Sequence, residues 1–485
     1  MLGPVVLAGL LIPATLAAQG TPCVSRRAGT VPAAYAATVA RERTLVCERL
    51  ATRIPGVQVA VAVNRKLVWS EGFGYADAER KKPVTRETQF RIGSVSKPLT
   101  ATAVALLYEQ RKLDLDAPVQ RYVPSFPEKG YPITTRQLAG HLAGIRHYKD
   151  QEFFLNRHFA TVREGLTIFQ DDSLLFPPGT RFSYSSYAWN LVSAVVEGAS
   201  GDNFLHYMSA HVFRPIGLTH TAPDRVDSLI PGRTQPYDRD SGGGYRIAPA
   251  VDNSYKWAGG GFVSTAEDLV KFGSALLEPG FLKPETLDLL FTSQRTSAGE
   301  TTGYGIGFFL TTDSLGHRWV FHGGGAVGGT AVFGLDRDSR VVVAILTNLS
   351  DAPLEPAREI QAAFDRDAAQ LSAPRLADVQ GTWEGTFMIG PKDSVIATFV
   401  LQATAQRDGW LLLLPGHDPH PTRVVALGGD SVVTETGPYA STRRPGETVM
   451  TRITGRYRGD SVVGSFVAHY SSGETSGRIQ GRRRM

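Results

Sequence analysis

Ser94-Val95-Ser96-Lys97 places a hydroxyl nucleophile and an amine three residues apart. On a helix that spacing puts both side chains on one face, so the amine can reach the hydroxyl. The stretch leaves Phe90-Arg91-Ile92-Gly93 and enters the apolar run Leu99-Thr100-Ala101-Thr102-Ala103-Val104-Ala105-Leu106-Leu107, which predicts Ser94 at a helix start. There the helix dipole favours developing negative charge, and the neighbouring amine can take the hydroxyl proton. Ser-x-x-Lys alone is a weak signal in a chain of 485 residues.

Two later segments strengthen it. Tyr184-Ser185-Ser186 follows Pro177-Pro178-Gly179-Thr180-Arg181-Phe182 and opens an apolar helical pattern over 190–196. His322-Gly323-Gly324-Gly325 ends the strand-like Val320-Phe321. In order and spacing the three segments resemble the serine beta-lactamase and penicillin-binding protein family, in the class C and DD-peptidase branch that carries Tyr in the second motif. The resemblance spans roughly residues 30–365. It is nearest to the mitochondrial serine beta-lactamase-like protease subgroup, through Arg136-Gln137-Leu138, His141-Leu142-Ala143-Gly144-Ile145-Arg146-His147-Tyr148, Phe169-Gln170-Asp171-Asp172 and Ser254-Tyr255-Lys256-Trp257-Ala258-Gly259-Gly260-Gly261-Phe262.

The resemblance implies that Ser94 is the acylated nucleophile and that Lys97 and Tyr184 move protons. It further implies an oxyanion hole from the backbone N–H groups of Ser94 and Gly325. His322 replaces the family's lysine, as a substrate contact or a partner of Tyr184. Glycines 323, 324 and 325 would permit close backbone approach. A lysine ordinarily titrates near 10.4, so a neutral base near pH 7 needs a shift of about 3 units. That is about 4 kcal/mol, attainable through burial and a second cation. Whether Lys97 or Tyr184 is the base stays open, because the two titrate as one system. His141 and His147 fit no catalytic position and read as structural. Ser186 departs from the family, which usually has Asn there to help hold a substrate amide, and this weakens an antibiotic-hydrolysing role.

The elements that must position these groups follow from periodicity. A helical pattern covers 33–53, a buried strand 57–63, and its hairpin partner 66–70. Residues 94–300 read as helices and loops. Strands return at 318–321, 330–333 and 341–346, before a helix at 354–370. Strands at both ends with helices between predict one α/β domain, 25–370, whose first and last segments meet in one sheet. The expected fold is beta-lactamase/transpeptidase-like, an antiparallel sheet flanked by helices with a helical subdomain.

After Ser372-Ala373-Pro374 the texture changes to short alternating runs with Gly-rich turns. Asp393-Ser394, Asp430-Ser431 and Asp460-Ser461 each launch a β-branched run. Residues 376–485 are therefore expected to form a small antiparallel β-barrel-like accessory domain, outside the family resemblance and of the kind a bacterial addition would be.

Composition narrows the function classes. At 42% hydrophobic and 20% charged residues the chain is ordinary globular protein. The formal charge of +5 comes from dispersed Lys and Arg, with one terminal cluster at Arg482-Arg483-Arg484, so no nucleic-acid partner is expected. The apolar Val5-Val6-Leu7-Ala8-Gly9-Leu10-Leu11-Ile12 and small Ala14-Thr15-Leu16-Ala17-Ala18 read as a signal peptide over 1–20, although no Lys or Arg precedes them. Secretion or a periplasmic location is then expected, with no stable membrane span. Cys23 and Cys47 form either one bridge or two thiols, and neither has metal-ligand spacing.

The expected function is a secreted serine hydrolase acting on a peptide, amide or ester, with a small-molecule or peptide substrate and no cofactor. The alternatives are a weak beta-lactamase, or a catalytically idle penicillin-recognising or scaffold protein. An intact Ser94, Lys97 and Tyr184 set argues against idleness. Oligomeric state and natural substrate stay open.

Overall fold

The computed structural model describes residues 23–312, 318–372, 381–390, 393–403, 409–428, 431–441 and 443–484. The expected signal segment and the boundary at Ala373-Pro374 lie outside them.

The main sheet contains β1 (Ser25–Arg27), β2 (Gly56–Val63), β3 (Lys66–Asp77), β4 (Phe309–Thr312), β5 (Arg318–Ala326), β6 (Gly329–Asp336) and β7 (Val341–Thr347). Their order across it is β1-β3-β2-β7-β6-β5-β4, with the short strand Lys82–Pro83 beside β3. The first and last segments of the domain therefore do meet, at the β2–β7 seam. β2 and β7 are buried along their whole length, which is why both read as Val- and Ala-rich apolar runs, broken in β2 by Gln58. The hairpin β2–β3 is longer than the sequence pattern indicated, because β3 continues to Asp77.

Helix α1 (Ala36–Val46) runs into a π-turn over Cys47–Ala51, within the predicted helical stretch. Cys23 and Cys47 are bridged, which ties the start of the described chain to this helix. Helix α2 (Ser96–Glu109) carries Ala at positions 101, 103 and 105 and is buried on every side from Ser96 to Ala105, as a central helix must be. Its proline, Pro98, falls in the first turn, where a missing N–H costs no intrahelical bond. Helix α3 (Ser186–Ser200) is capped by Ser185, whose Oγ accepts from Ala188 N, and it ends on Gly201 at φ +75°. Helix α4 (Ala266–Leu276) packs on β2. Among the described residues no helix is long and apolar enough to cross a membrane.

The contact pattern separates two compact units, one of 39–338 with 342–361, the other of 362–485 with 33–38 and 339–341. Helix α5 (Pro356–Ser372) runs from the first into the second. The second unit holds a closed antiparallel barrel of eight strands, from Thr382–Ile389 through to Gly473–Arg483, which pairs back to the first. The sequence echo has a structural counterpart: Ser394, Ser431 and Ser461 each open a barrel strand. The interior is filled by Trp383, Trp410, Phe387, Phe399, Phe466 and aliphatic neighbours, a packed core and not a channel.

Candidate active site

Ser94 lies in the 3-10 turn Gly93–Val95, immediately before α2. The turn gives the Ser94 N–H no helical acceptor of its own and leaves it pointing outward from the helix start. Gly93 holds φ +48°, and a Cβ there would sit 2.4 Å from the Gly325 carbonyl oxygen. A Cβ on Gly324 would sit 2.0 Å from the Ile92 carbonyl oxygen and 3.1 Å from Ser94 N. Beyond its pairing with β4, which ends at Phe321, β5 thus runs backbone against backbone along the serine turn. Of the three expected glycines, Gly324 is the one this approach requires; Cβ atoms on Gly323 and Gly325 would meet open space. Gly325 lines the same cavity as Ser94.

Lys97 is fully buried one turn on. Its Nζ is 2.9 Å from Ser94 Oγ, 3.2 Å from Ser186 Oγ and 2.6 Å from the Gly259 carbonyl oxygen. Burial pulls its pKa well below the usual lysine value, and the charge of Lys256 pulls it further. Lys256 is the second cation that a lowered Lys97 needs. It too is buried, with Nζ over the rings of Phe153 at 4.4 Å, Tyr255 at 5.1 Å and Tyr148 at 5.5 Å. Burial and the positive charge of Arg91 lower Lys256 to about 7, against a smaller opposing pull from Asp224. The Arg91–Asp224 pair at 2.7 Å is itself buried and anchored by Asn253 and Arg233.

The Tyr184 ring lies under Lys97, with Nζ 4.9 Å from its centroid, and its hydroxyl interacts with Ser94 and Ser186. Burial raises the phenol well above its usual range. His322 packs against Tyr184 with ring centroids 6.2 Å apart, while its hydrogen bonds go elsewhere. Nδ1–H donates to the Gly323 carbonyl oxygen at 2.5 Å, which leaves Nε2 to accept from the Tyr304 hydroxyl at 3.0 Å. Burial first, then Lys97, lower this imidazole to about 3. His322 stands behind the Tyr184 ring as a neutral support bonded to Tyr304.

The block from His141 to Tyr148 folds onto the start of α3. His141 Nδ1 accepts from Ser185 N and His147 Nδ1 from Ser186 N, both at 3.1 Å. Ser185 Oγ donates to the Arg146 carbonyl oxygen at 2.7 Å. Arg146 is buried in a two-pronged contact with Glu152, at 2.6 and 2.9 Å, and also binds Asp172. This latch fixes where Ser186 and Tyr184 enter the site. Tyr184 is also pressed by the His141 ring at 4.2 Å.

A cavity of about 360 Å³ opens over these groups, lined by Ser94, Tyr184, Ser186, Gly325, Lys256 and His147 among others. A nucleophile and a protonated phenol on one cavity, with a lowered amine in contact with the nucleophile, can carry acyl transfer. Lys256 was not assigned from the sequence. The signal was present, since it sits inside the Ser254-to-Phe262 block and the chemistry already required a second cation.

Comparison with known proteins agrees with this geometry. The Beta-lactamase family model matches residues 43–368. The mitochondrial serine beta-lactamase-like protein LACTB of Bos taurus is 32% identical over 430 residues, covering 65% of this chain and 77% of its own. Esterase EstB of Burkholderia gladioli is 28% identical, covering 53% of this chain and 74% of its own. Among solved structures, the octameric penicillin-binding protein homologue from Pyrococcus abyssi matches with a TM-score of 0.58 at 22% identity, over 91% of this chain and 99% of that one. On the family match, the fold and the relatives together, this chain belongs to the beta-lactamase family of serine hydrolases.

Proposed function

We propose that the protein hydrolyses a peptide, amide or ester through an acyl-enzyme on Ser94. The observation that carries this reading is the setting of Lys97, a buried amine with a lowered pKa, 2.9 Å from Ser94 Oγ. The Gly259 carbonyl can only accept, so it takes one N–H of Lys97. A neutral Lys97 then keeps its lone pair for the Ser94 proton. Tyr184, held protonated by burial, acts as the acid. Ser94 Oγ attacks the carbonyl carbon while its proton passes to Lys97 Nζ. The oxyanion accepts from the N–H groups of Ser94 and Gly325. As the tetrahedral intermediate collapses, the bond to the leaving group breaks and that group takes up a proton through Tyr184. Lys97 returns its proton to Tyr184, and water repeats the sequence on the acyl-enzyme.

Ester action is supported by the kinship with an esterase and by the Ser at 186, since an ester relies less on a side-chain amide clamp. Beta-lactam hydrolysis is the weaker reading, because Ser186 turns its hydroxyl to Lys97 and carries no amide. Export from the cytosol is part of the proposal. Its supports are the apolar segment near residue 5 and the Cys23–Cys47 bridge, which an oxidising compartment favours; the LACTB relative is described as mitochondrial. The test is labelling with a fluorophosphonate probe and mass mapping of the adduct. An adduct on Ser94 is expected, and an adduct confined to another serine overturns the reading.

A further inference from the structure

His147 has one ring nitrogen accounted for and one that is not. Nδ1 accepts the Ser186 N–H at 3.1 Å, so in a neutral ring the proton sits on Nε2. Partial burial, then the charges of Lys97 and Lys256, lower this imidazole to about 4, which keeps it neutral over the working range. The Nε2 edge lies opposite the Ser186 contact, and among the described residues no protein acceptor is recorded for it. The residue is exposed, and it is among those that line the cavity with Ser94, Tyr184 and Gly325. Two rings hold it in place, Tyr148 at 4.4 Å and Tyr184 edge-on at 5.7 Å and 89°.

We propose that His147 Nε2–H is a substrate-positioning donor that binds a carbonyl oxygen on the acyl part of the substrate, one amide removed from the reacting carbonyl. The inference rests on the acyl-enzyme reading above and names what that site selects. Other polar side chains on the cavity are differently engaged, the Tyr148 hydroxyl with Ser186 and Tyr255. Ser186 Oγ accepts from Lys97, and Ser94 and Tyr184 belong to the reaction. Lys256 is an amine seated among aromatic rings. His147 therefore offers a fixed, neutral N–H, which suits a carbonyl oxygen because neither partner needs a counter-charge when desolvated. The ligand class is an N-acylated amino acid or peptide.

A purely structural His147 would serve only the Ser186 N–H, and the two roles separate by substitution. In His147→Asn the side-chain oxygen reaches about where Nδ1 stood and keeps the Ser186 contact, but nothing reaches the cavity. In His147→Gln the longer amide puts a donor about where Nε2 stood. The readout is the ratio of kcat/KM for N-acetylalanine p-nitrophenyl ester to that for p-nitrophenyl acetate, measured on the full chain. The two share leaving group and chemistry and differ in the amide. The ratio is expected to fall about 2- to 10-fold in His147→Asn and His147→Ala, the loss of one hydrogen bond, and to recover in His147→Gln. A wild-type ratio in His147→Asn, or a Gln variant as impaired as Asn, overturns the inference. Two further measurements keep its failure apart from that of the acyl-enzyme reading. Loss of p-nitrophenyl acetate turnover in Ser94→Ala tests that reading alone. Imidazole ¹⁵N spectra of histidine-labelled protein must show His147 as the Nε2–H tautomer at neutral pH, and an Nδ1–H or charged ring overturns the proposal whatever the kinetics.

Discussion

Lys97 Nζ stands 2.9 Å from Ser94 Oγ while the Gly259 carbonyl, at 2.6 Å, holds the amine from behind. The contact joins the first and fourth residues of one short segment, yet the carbonyl that orients it lies 162 residues away. The amine is therefore fixed by packing as well as by the helix that carries it.

Ser94→Ala should abolish both labelling by a covalent serine probe and turnover of p-nitrophenyl acetate. The hydroxyl is part-buried in a turn whose backbone does not need it, so the folded state should persist by circular dichroism. Labelling of the variant at wild-type rate would remove Ser94 from the mechanism.

Lys97→Ala and Tyr184→Phe should each slow acylation by about 10² to 10⁴, the range for loss of a proton-transfer group. The double variant should be much less than multiplicatively worse, since both groups contact Ser94 and Ser186 and serve one proton transfer. Independent, fully multiplicative losses would separate them.

Lys256→Met should move the acidic limb of the kcat/KM profile to higher pH. Lys256 is a positive charge that lowers Lys97, so its removal lets the Lys97 pKa rise, and the neutral base then appears only at higher pH. An unmoved limb would show that burial alone sets the amine.

The same variant has a signed effect on stability. Lys256 titrates at about 7 when folded and near its ordinary 10.5 when unfolded, so the unfolded chain binds more protons between these values. Its cost to folding is full below pH 7 and shrinks as pH rises toward 10. Lys256→Met should thus be more stable than wild type at pH 6 to 7, by at most about 5 kcal/mol, with the gap closing by pH 10. Chemical denaturation at both pH values measures it.

Gly324→Ala should cut ester turnover by about 10² or more, because its Cβ would sit 2.0 Å from the Ile92 carbonyl oxygen and push β5 off the serine turn that bears one oxyanion donor. Gly323→Ala, whose Cβ meets open space, is the control and should be far milder.

A chain ending at Ser372 should fold and keep ester turnover. The barrel core around Trp383 and Trp410 shares no residue with the core around α2 and α3. Ending there also keeps Phe364 and Asp365, the partners of Tyr35 and Ser339. Aggregation of this truncation would show that the barrel is needed to complete the first unit.

What the sequence determined by itself is local or periodic. The Ser94–Lys97 spacing, the helix start, the Ser185 cap of α3 and the Asp-Ser openings of barrel strands depend on neighbours a few residues apart. The apolar runs of β2, broken by Gln58, and of β7 likewise declared two buried strands expected to share a sheet. What only the tertiary structure decided depends on groups distant in the chain. Lys256 lies 159 positions after Lys97, and nothing in its own neighbours marks it as the charge that lowers that amine. Tyr304 takes the His322 bond that a linear reading would offer to substrate or to Tyr184. The proposed roles of Lys97 as base and Tyr184 as acid rest on the same logic, because burial moves the two pKa values apart and burial is a property of the assembled core. His147 looked structural in sequence because its role depends on which ring nitrogen the Ser186 N–H engages, a choice made only when the 141–148 loop closes on α3.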